Sequence, residues 1–146
     1  MSSPAFEVRS ANLADAQEIA RLSGELGYPA SERDMALRLS LLLAEAGHRI
    51  LVAANRDGLL GWIGVERRIS LETGEKIEIV GFVVDARARR RGVGQALLLA
   101  AEQWARSEGF DALMVRSNAA RIESHPFYEK HGYLRRKTQH VYFKGL

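Results

Sequence analysis

Between Val84 and Val93 the chain changes its period, and that change constrains the fold more than any other feature. Lys76 to Val84 reads as a strand, whereas Val93, Ala96, Leu97, Ala100, Ala101 and Trp104 fall on one helical face. A tight, basic, glycine-containing loop joins the two. Gly109 closes the helix, and Ala112 to Arg116 follows as a short apolar strand. Strand, helix and strand in this order predict a parallel crossover.

Upstream, the strands Ile50 to Asn55, Leu59 to Ile69 and Lys76 to Val84 are separated by the turn signals Asp57-Gly58 and Thr73-Gly74. Strands joined by short turns pair antiparallel, so a three-stranded meander is expected. Phe6 to Arg9 reads as a first strand. Asn12 with Asp15, and Ser31 with Asp34, carry the helix-start pattern of a capping side chain and an acid three residues on. Two helices are predicted, one ended by Gly27-Tyr28-Pro29 and one running to Ala46 before Gly47. A last helix over Pro126 to His131, closed by Gly132, and one or two strands over Leu134 to Phe143 complete the pattern. The expected class is α/β (α+β): a mixed, mainly antiparallel sheet flanked by helices. Its 146 residues suit one domain.

Composition serves here to exclude. There is no cysteine, hence no disulfide, no cysteine zinc site and no acyl-carrying enzyme thiol. His48, His125, His131 and His140 show no metal-ligand spacing, so no metal is expected. No apolar run is long enough to span a membrane and the first residues lack a signal-peptide pattern, so a cytoplasmic location is expected.

The net charge of +3 is unevenly spread, because Arg87, Arg89, Arg90 and Arg91 lie together. Such a cluster fits a solvated loop, a nucleic-acid patch or an anion site. The helix that begins directly after it favours the anion site. The first amides of a helix lack intrahelical acceptors, and the helix dipole adds positive potential there. Gly92 and Gly94 allow close approach of a phosphate, and arginines add charge and paired donors. A Walker loop is absent, and Gly92-Val93-Gly94-Gln95-Ala96-Leu97 lacks the third glycine of a dinucleotide fingerprint.

The run Val83 to Gly94 resembles the GNAT acetyltransferase superfamily and its [Arg/Gln]-x-x-Gly-x-[Gly/Ala] signature, with Arg89 in first place. Phe127-Tyr128-Glu129-Lys130-His131-Gly132-Tyr133 is similar to a second segment of that superfamily, and the order of elements agrees along the chain. The resemblance implies acetyl-CoA as cofactor, with coenzyme A as product. Main chain of Phe82, Val83 and Val84 would pair with the pantetheine arm. Amides of Arg90, Arg91, Gly92, Val93, Gly94 and Gln95 would cradle the pyrophosphate behind Arg89. One side chain among Arg87 to Arg91 would reach the ribose phosphate.

An amine acceptor with pKa of about 10.4 is mostly protonated at neutrality, so a general base is useful. Glu78, eleven residues before Arg89, resembles the glutamate base of histone-type members of the superfamily. It also fits a solvent-facing acid on an alternating strand, beside Glu75. Tyr128 matches the superfamily's tyrosine acid, and a phenol with pKa of about 10 suits a thiolate leaving group. Packing is the competing role. A backbone N–H near Phe82 would meet the developing oxyanion.

Where the superfamily often has asparagine seven residues before the tyrosine, this chain has Arg121, with Asn118 three earlier. Arg121 and the segment from His125 resemble bacterial members related to aminoglycoside acetyltransferases, and His125 is itself a candidate base. The acceptor site in this fold is built largely by the two N-terminal helices, here Ser23 to Gly47. The expected partner is an amine on a small molecule, peptide or protein. Neither nucleic acid nor membrane is expected, the acids Asp85, Glu102 and Glu108 diluting the basic field, and exposed terminal strands would permit a homodimer. The alternative is a non-catalytic acyl-CoA-binding or regulatory module of the same fold.

Overall fold

The computed structural model describes residues 5–117 and 124–146. The chain divides into two compact units, residues 1–115 and 116–146. The first holds β1 (Glu7–Ser10), a 3-10 turn (Leu13–Asp15), α1 (Ala16–Glu25), α2 (Glu32–Leu43), β2 (His48–Asn55), β3 (Gly58–Ser70), β4 (Gly74–Val84), a second 3-10 turn (Ala86–Ala88), α3 (Val93–Ser107) and β5 (Met114–Val115). The second holds α4 (Ser124–Lys130).

The strands form one sheet in the order β1-β2-β3-β4-β5. All neighbours are antiparallel except β4 and β5, which the α3 crossover makes parallel. The fold class is therefore the mixed, mainly antiparallel one that the turn signals and the change of period predict. The Asn12 side chain accepts from the Ala14 N–H while Asp15 accepts from the Asn12 N–H, a complete capping box. Ser31 accepts from the Asp34 N–H at 3.0 Å and starts α2.

Consecutive residues of β3 face opposite ways, so Gly61 and Trp62 mark the two sides of the sheet. A side chain at Gly61 would lie 3.1 Å from Leu97 and 3.3 Å from Val93, so this face receives α3. Trp62 belongs to the other face, where Ile19 and Leu22 of α1 and Leu39 of α2 pack on Val52, Leu59 and Val83. Leu22, Ile63 and Leu97 are fully buried. Truncating such a side chain to alanine typically costs about 2–5 kcal/mol.

The strands expected over Leu134 to Phe143 are absent: residues 133–146 carry neither helix nor strand, and Leu134, Val141, Tyr142 and Phe143 are exposed. Apolar and β-branched residues favour a strand only where a neighbour supplies the ladder, and nothing pairs with them among the described residues. No helix among the described residues is long and apolar enough to cross a membrane.

Candidate functional site

Two features of β4 shape the site. The first is a bulge. Gly64 pairs with Gly81 but Val65 pairs with Ile79, so Val80 is an extra residue on β4. Glu78 and Val83 are five residues apart and would face opposite sides of a regular strand. The bulge restores them to one side: Glu78 lies opposite Glu66 and Val83 opposite Trp62, two β3 residues of the same parity. Glu78 thus shares the side of the sheet that α1 and α2 cover. The second feature is the end of the parallel ladder. It comprises Glu78 with Met114 and Ile79 with Val115, and stops at the bulge, whereas β4 runs on to Val84.

Gly81 allows this arrangement. A Cβ there would lie 2.6 Å from Cζ3 of Trp62, so the indole occupies the space of a side chain against the β4 main chain.

Glu78 is 2% exposed, which removes the solvent-facing reading of this acid. Glu75 is exposed and faces the other way, opposite Ile69. Arg68 Nη1 donates to Glu78 Oε2 at 2.6 Å, and Arg68 Nε lies 3.3 Å from Glu66 Oε1. His48 Nδ1 stands 3.4 Å from Glu66 Oε2. The hydrogen bond from Arg68 to Glu78, with their charge attraction, holds the Arg68 guanidinium above its ordinary pKa. No sequence signal pointed to Arg68, because a diagonal cross-strand partner is defined only once the register is known.

Past Val84 the loop curls. Arg90 has φ 67°, in the left-handed region that non-glycine residues seldom occupy, and Gly92 follows at φ 80°. Gly92 caps α3 without a side chain. The Ala96 N–H donates to the Gly92 carbonyl at 3.0 Å, so the amides of Val93, Gly94 and Gln95 precede the first intrahelical bond and have no acceptor within α3. Val93 is buried against the sheet, and Gln95 is exposed. Arg89, Arg90 and Arg91 are exposed and enter no ion pair among the described residues. Arg87 differs, since its Nη2 lies 3.1 Å from Asp85 Oδ2. Free amides, a bare cap and three unengaged guanidiniums fit a diphosphate.

Asp85 stands out in the sequence only as an acid diluting the basic cluster. In the structure it is buried at 3% exposure and receives Arg87 and Arg21 together. The Arg87 side chain, its N–H and then Arg21 hold the Asp85 carboxyl far below the usual carboxylate range, against the opposing effect of burial. Glu18 is held below its ordinary value chiefly by Arg21. A cleft of about 390 Å³ beside the loop is lined by Glu18, Arg21, Asp57, Asp85, Arg87 and Arg91.

These carboxylates tie stability to pH. A carboxyl depressed in the folded state stabilises the fold above its unfolded pKa, which is 3.8 for Asp85, and that stabilisation fades as pH falls through the lower folded value. Thermal midpoints should change little from about pH 7 to 5 and drop below about pH 4. Asp85→Asn should flatten that drop. An unchanged slope in the variant would remove Asp85 from the account.

Phe82, Val83, Val84, Arg89, Arg90, Arg91, Gly92, Val93, Gly94 and Gln95 thus lie along one continuous β4–loop–α3 path, with Glu78 further back on β4. Tyr128 belongs to the second unit. It is half-buried on α4, its ring edge-on to Phe127 at 5.6 Å and 6.1 Å from Tyr133. The Tyr133 N–H donates to the Tyr128 carbonyl at 3.0 Å, and Gly132 closes the turn at φ 90°. His125 is half-buried on the same helix. Asn118 and Arg121 lie outside the described residues.

The chain is similar to known proteins in sequence and in fold. An uncharacterized N-acetyltransferase, YhdJ, of Bacillus subtilis (strain 168) is 28% identical over 91 residues, covering 62% of this chain and 64% of that relative, just short of two thirds of its length. A GNAT family acetyltransferase of Staphylococcus aureus superposes with a TM-score of 0.77 at 22% identity, over 97% of this chain and 99% of the other. An aminoglycoside antibiotic 6'-N-acetyltransferase of Acinetobacter haemolyticus gives 0.83 at 21%, over 96% and 99%. At such identities the structural likeness concerns the fold. The sequence match to the family is broader: it takes in residues 13–133, from the start of the first helical turn to the residue after the α4 turn, and on it the chain belongs to the acetyltransferase (GNAT) family.

Proposed function

We propose that the protein is an N-acetyltransferase of one domain, carrying an acetyl group from acetyl-CoA to an amine by direct transfer, with both substrates bound together. The observation that carries this reading is the combination on one path of a β4 strand that outruns its parallel ladder and a bare, strained helix start beside three arginines that enter no ion pair among the described residues. The amides of residues 90–95 and the Arg89 to Arg91 side chains would hold the diphosphate. The main chain of Phe82, Val83 and Val84 would align the pantetheine arm as an added strand. When bound, acetyl-CoA supplies a thioester carbonyl open to attack by an amine.

The remaining work falls to the protein. Glu78 removes a proton from the incoming ammonium, directly or through water. Its burial on the α1/α2 side supports that role, because the acceptor would enter there. Glu66 and Glu78 oppose one another with Arg68 between them, which leaves this part of the sheet attractive to a cation. A main-chain N–H near Phe82 stabilises negative charge on the carbonyl oxygen. Tyr128 donates a proton to the departing sulfur. The aminoglycoside enzyme among the structural neighbours acts on an amine-bearing small molecule, which fits an acceptor of that class.

The test is a thiol-release assay with acetyl-CoA and a panel of amines, run on the native protein and on Tyr128→Phe. Turnover should fall about 100-fold in the variant, with acetyl-CoA affinity within about twofold. Equal turnover would remove Tyr128 as the acid. Tight acetyl-CoA binding without transfer to any amine would instead favour a non-catalytic module of the same fold.

A further inference from the structure

Arg21 joins three elements. On its own helix it donates from Nε to Glu18 Oε2 at 2.7 Å and from Nη2 to Glu18 Oε1 at 3.1 Å. Across to β3, Nη2 donates to the Leu59 carbonyl at 2.9 Å, while Glu18 Oε1 accepts from the Leu59 N–H at 3.1 Å. The Glu18–Arg21 pair therefore grips both main-chain groups of Leu59. At the end of β4, Arg21 Nη1 donates to Asp85 Oδ2 at 3.0 Å, and it also reaches Glu25 at 3.0 Å.

Asp85 passes this grip to the loop. Its N–H donates to the Leu60 carbonyl at 2.8 Å and its carbonyl accepts from the Ala88 N–H at 2.9 Å. Its Oδ1 accepts from the Arg87 N–H at 2.9 Å, which caps the 3-10 turn Ala86–Ala88. That turn leads through Arg89 into Arg90 and Gly92, the two residues of this loop with positive φ. Removing the arginines from a buried carboxylate such as Asp85 would leave its charge uncompensated, so their hydrogen bonds fix where the carboxylate sits. Sheet packing gives no reason for a charge at Asp85, and a loop held in a strained curl gives one.

We infer that Asp85, anchored by Arg21, is a positioning residue for the phosphate-binding loop. It sets the curl of residues 86–92, and by engaging Arg87 it leaves Arg89, Arg90 and Arg91 to the anion. The inference rests on the proposed function, in which this loop holds the diphosphate of acetyl-CoA.

The experiment is calorimetric titration of acetyl-CoA into the native protein, Asp85→Ala and Asp85→Asn, with thermal unfolding of the same samples to give the folded fraction. Asp85→Ala loses the turn cap and both ion pairs, and Asp85→Asn keeps an acceptor for the Arg87 N–H. Affinity per folded molecule should fall about tenfold or more in Asp85→Ala, and by less in Asp85→Asn, because preorganisation is lost. In steady state the loss should fall on KM for acetyl-CoA, with kcat and KM for the amine little moved. A purely structural role would lower the folded fraction and leave affinity per folded molecule unchanged. If Asp85→Ala does not fold, Asp85→Asn decides alone. Native protein that binds acetyl-CoA, with variants that bind it equally well, would overturn this inference alone. Native protein that does not bind would overturn the loop's reading and this inference with it.

Discussion

Glu78→Gln is expected to lower kcat/KM for amine acetylation about 100- to 1000-fold at neutral pH, with acetyl-CoA affinity within about twofold. Glutamine keeps the shape of the side chain and an oxygen able to accept from Arg68, which now sits 2.6 Å from Glu78 Oε2. What it loses is basicity. The two roles open to Glu78, base and ion-pair partner, predict different pH profiles. An acceptor amine with pKa of about 10.4 is only about one part in 2500 neutral at pH 7, and that part grows tenfold per pH unit. If Glu78 removes the proton, the defect should shrink as pH rises from 7 to 9, because more acceptor arrives already neutral. If Glu78 only holds Arg68, the defect should be the same at every pH and accompany a lowered thermal midpoint. A pH-independent defect would sink the base assignment.

The same residue illustrates what the sequence could convey. Period, turn signals and caps predicted every helix and strand of the first unit in order. The cap-and-acid pair Ser31/Asp34 located the start of α2, and Asn12/Asp15 that of the 3-10 turn leading into α1. These are local effects, set within a few residues, so they survive translation into structure. The side of the sheet that Glu78 faces is not local. It depends on one extra residue, Val80, and a bulge is recognised only against the partner strand, where Gly64 meets Gly81 and Val65 meets Ile79. For the same reason Arg68 and Arg21 escaped notice: each acts on a carboxylate that only the register or the packing of α1 brings near. Asp85 reads as a diluting surface charge because burial of an acid is visible only once its arginines are in place. The segment Leu134 to Phe143 errs the other way. Its β-favouring residues answer to a ladder, and propensity alone does not supply one.

Gly92→Val is expected to weaken acetyl-CoA binding at least 100-fold, about 2.7 kcal/mol, while the fold survives. The structure separates the two consequences of a side chain here. Apart from its chain neighbours, no heavy atom of the described residues lies within 4 Å of a Cβ at Gly92, so the free protein has room for the substitution. Its φ of 80° is nevertheless unfavourable for a β-branched residue, which should cost about 1–3 kcal/mol. In a chain of this size that lowers the thermal midpoint by several degrees. The open space that costs the free protein nothing is the space a phosphate needs beside the Val93, Gly94 and Gln95 amides, so occlusion should appear only on binding. Gly92→Asn separates strain from occlusion, since asparagine tolerates the left-handed region yet still fills the approach. Both variants should lose affinity, and only Gly92→Val should lose much stability. Calorimetry with ATP and NAD as controls completes the test, because a diphosphate site alone does not distinguish nucleotides, whereas a β4 edge that pairs with the pantetheine arm does. Native protein that binds acetyl-CoA and neither control would tie the loop and the strand into one site; equal binding of ATP would reduce the loop to a general phosphate cradle and remove the support it gives to acetyl transfer.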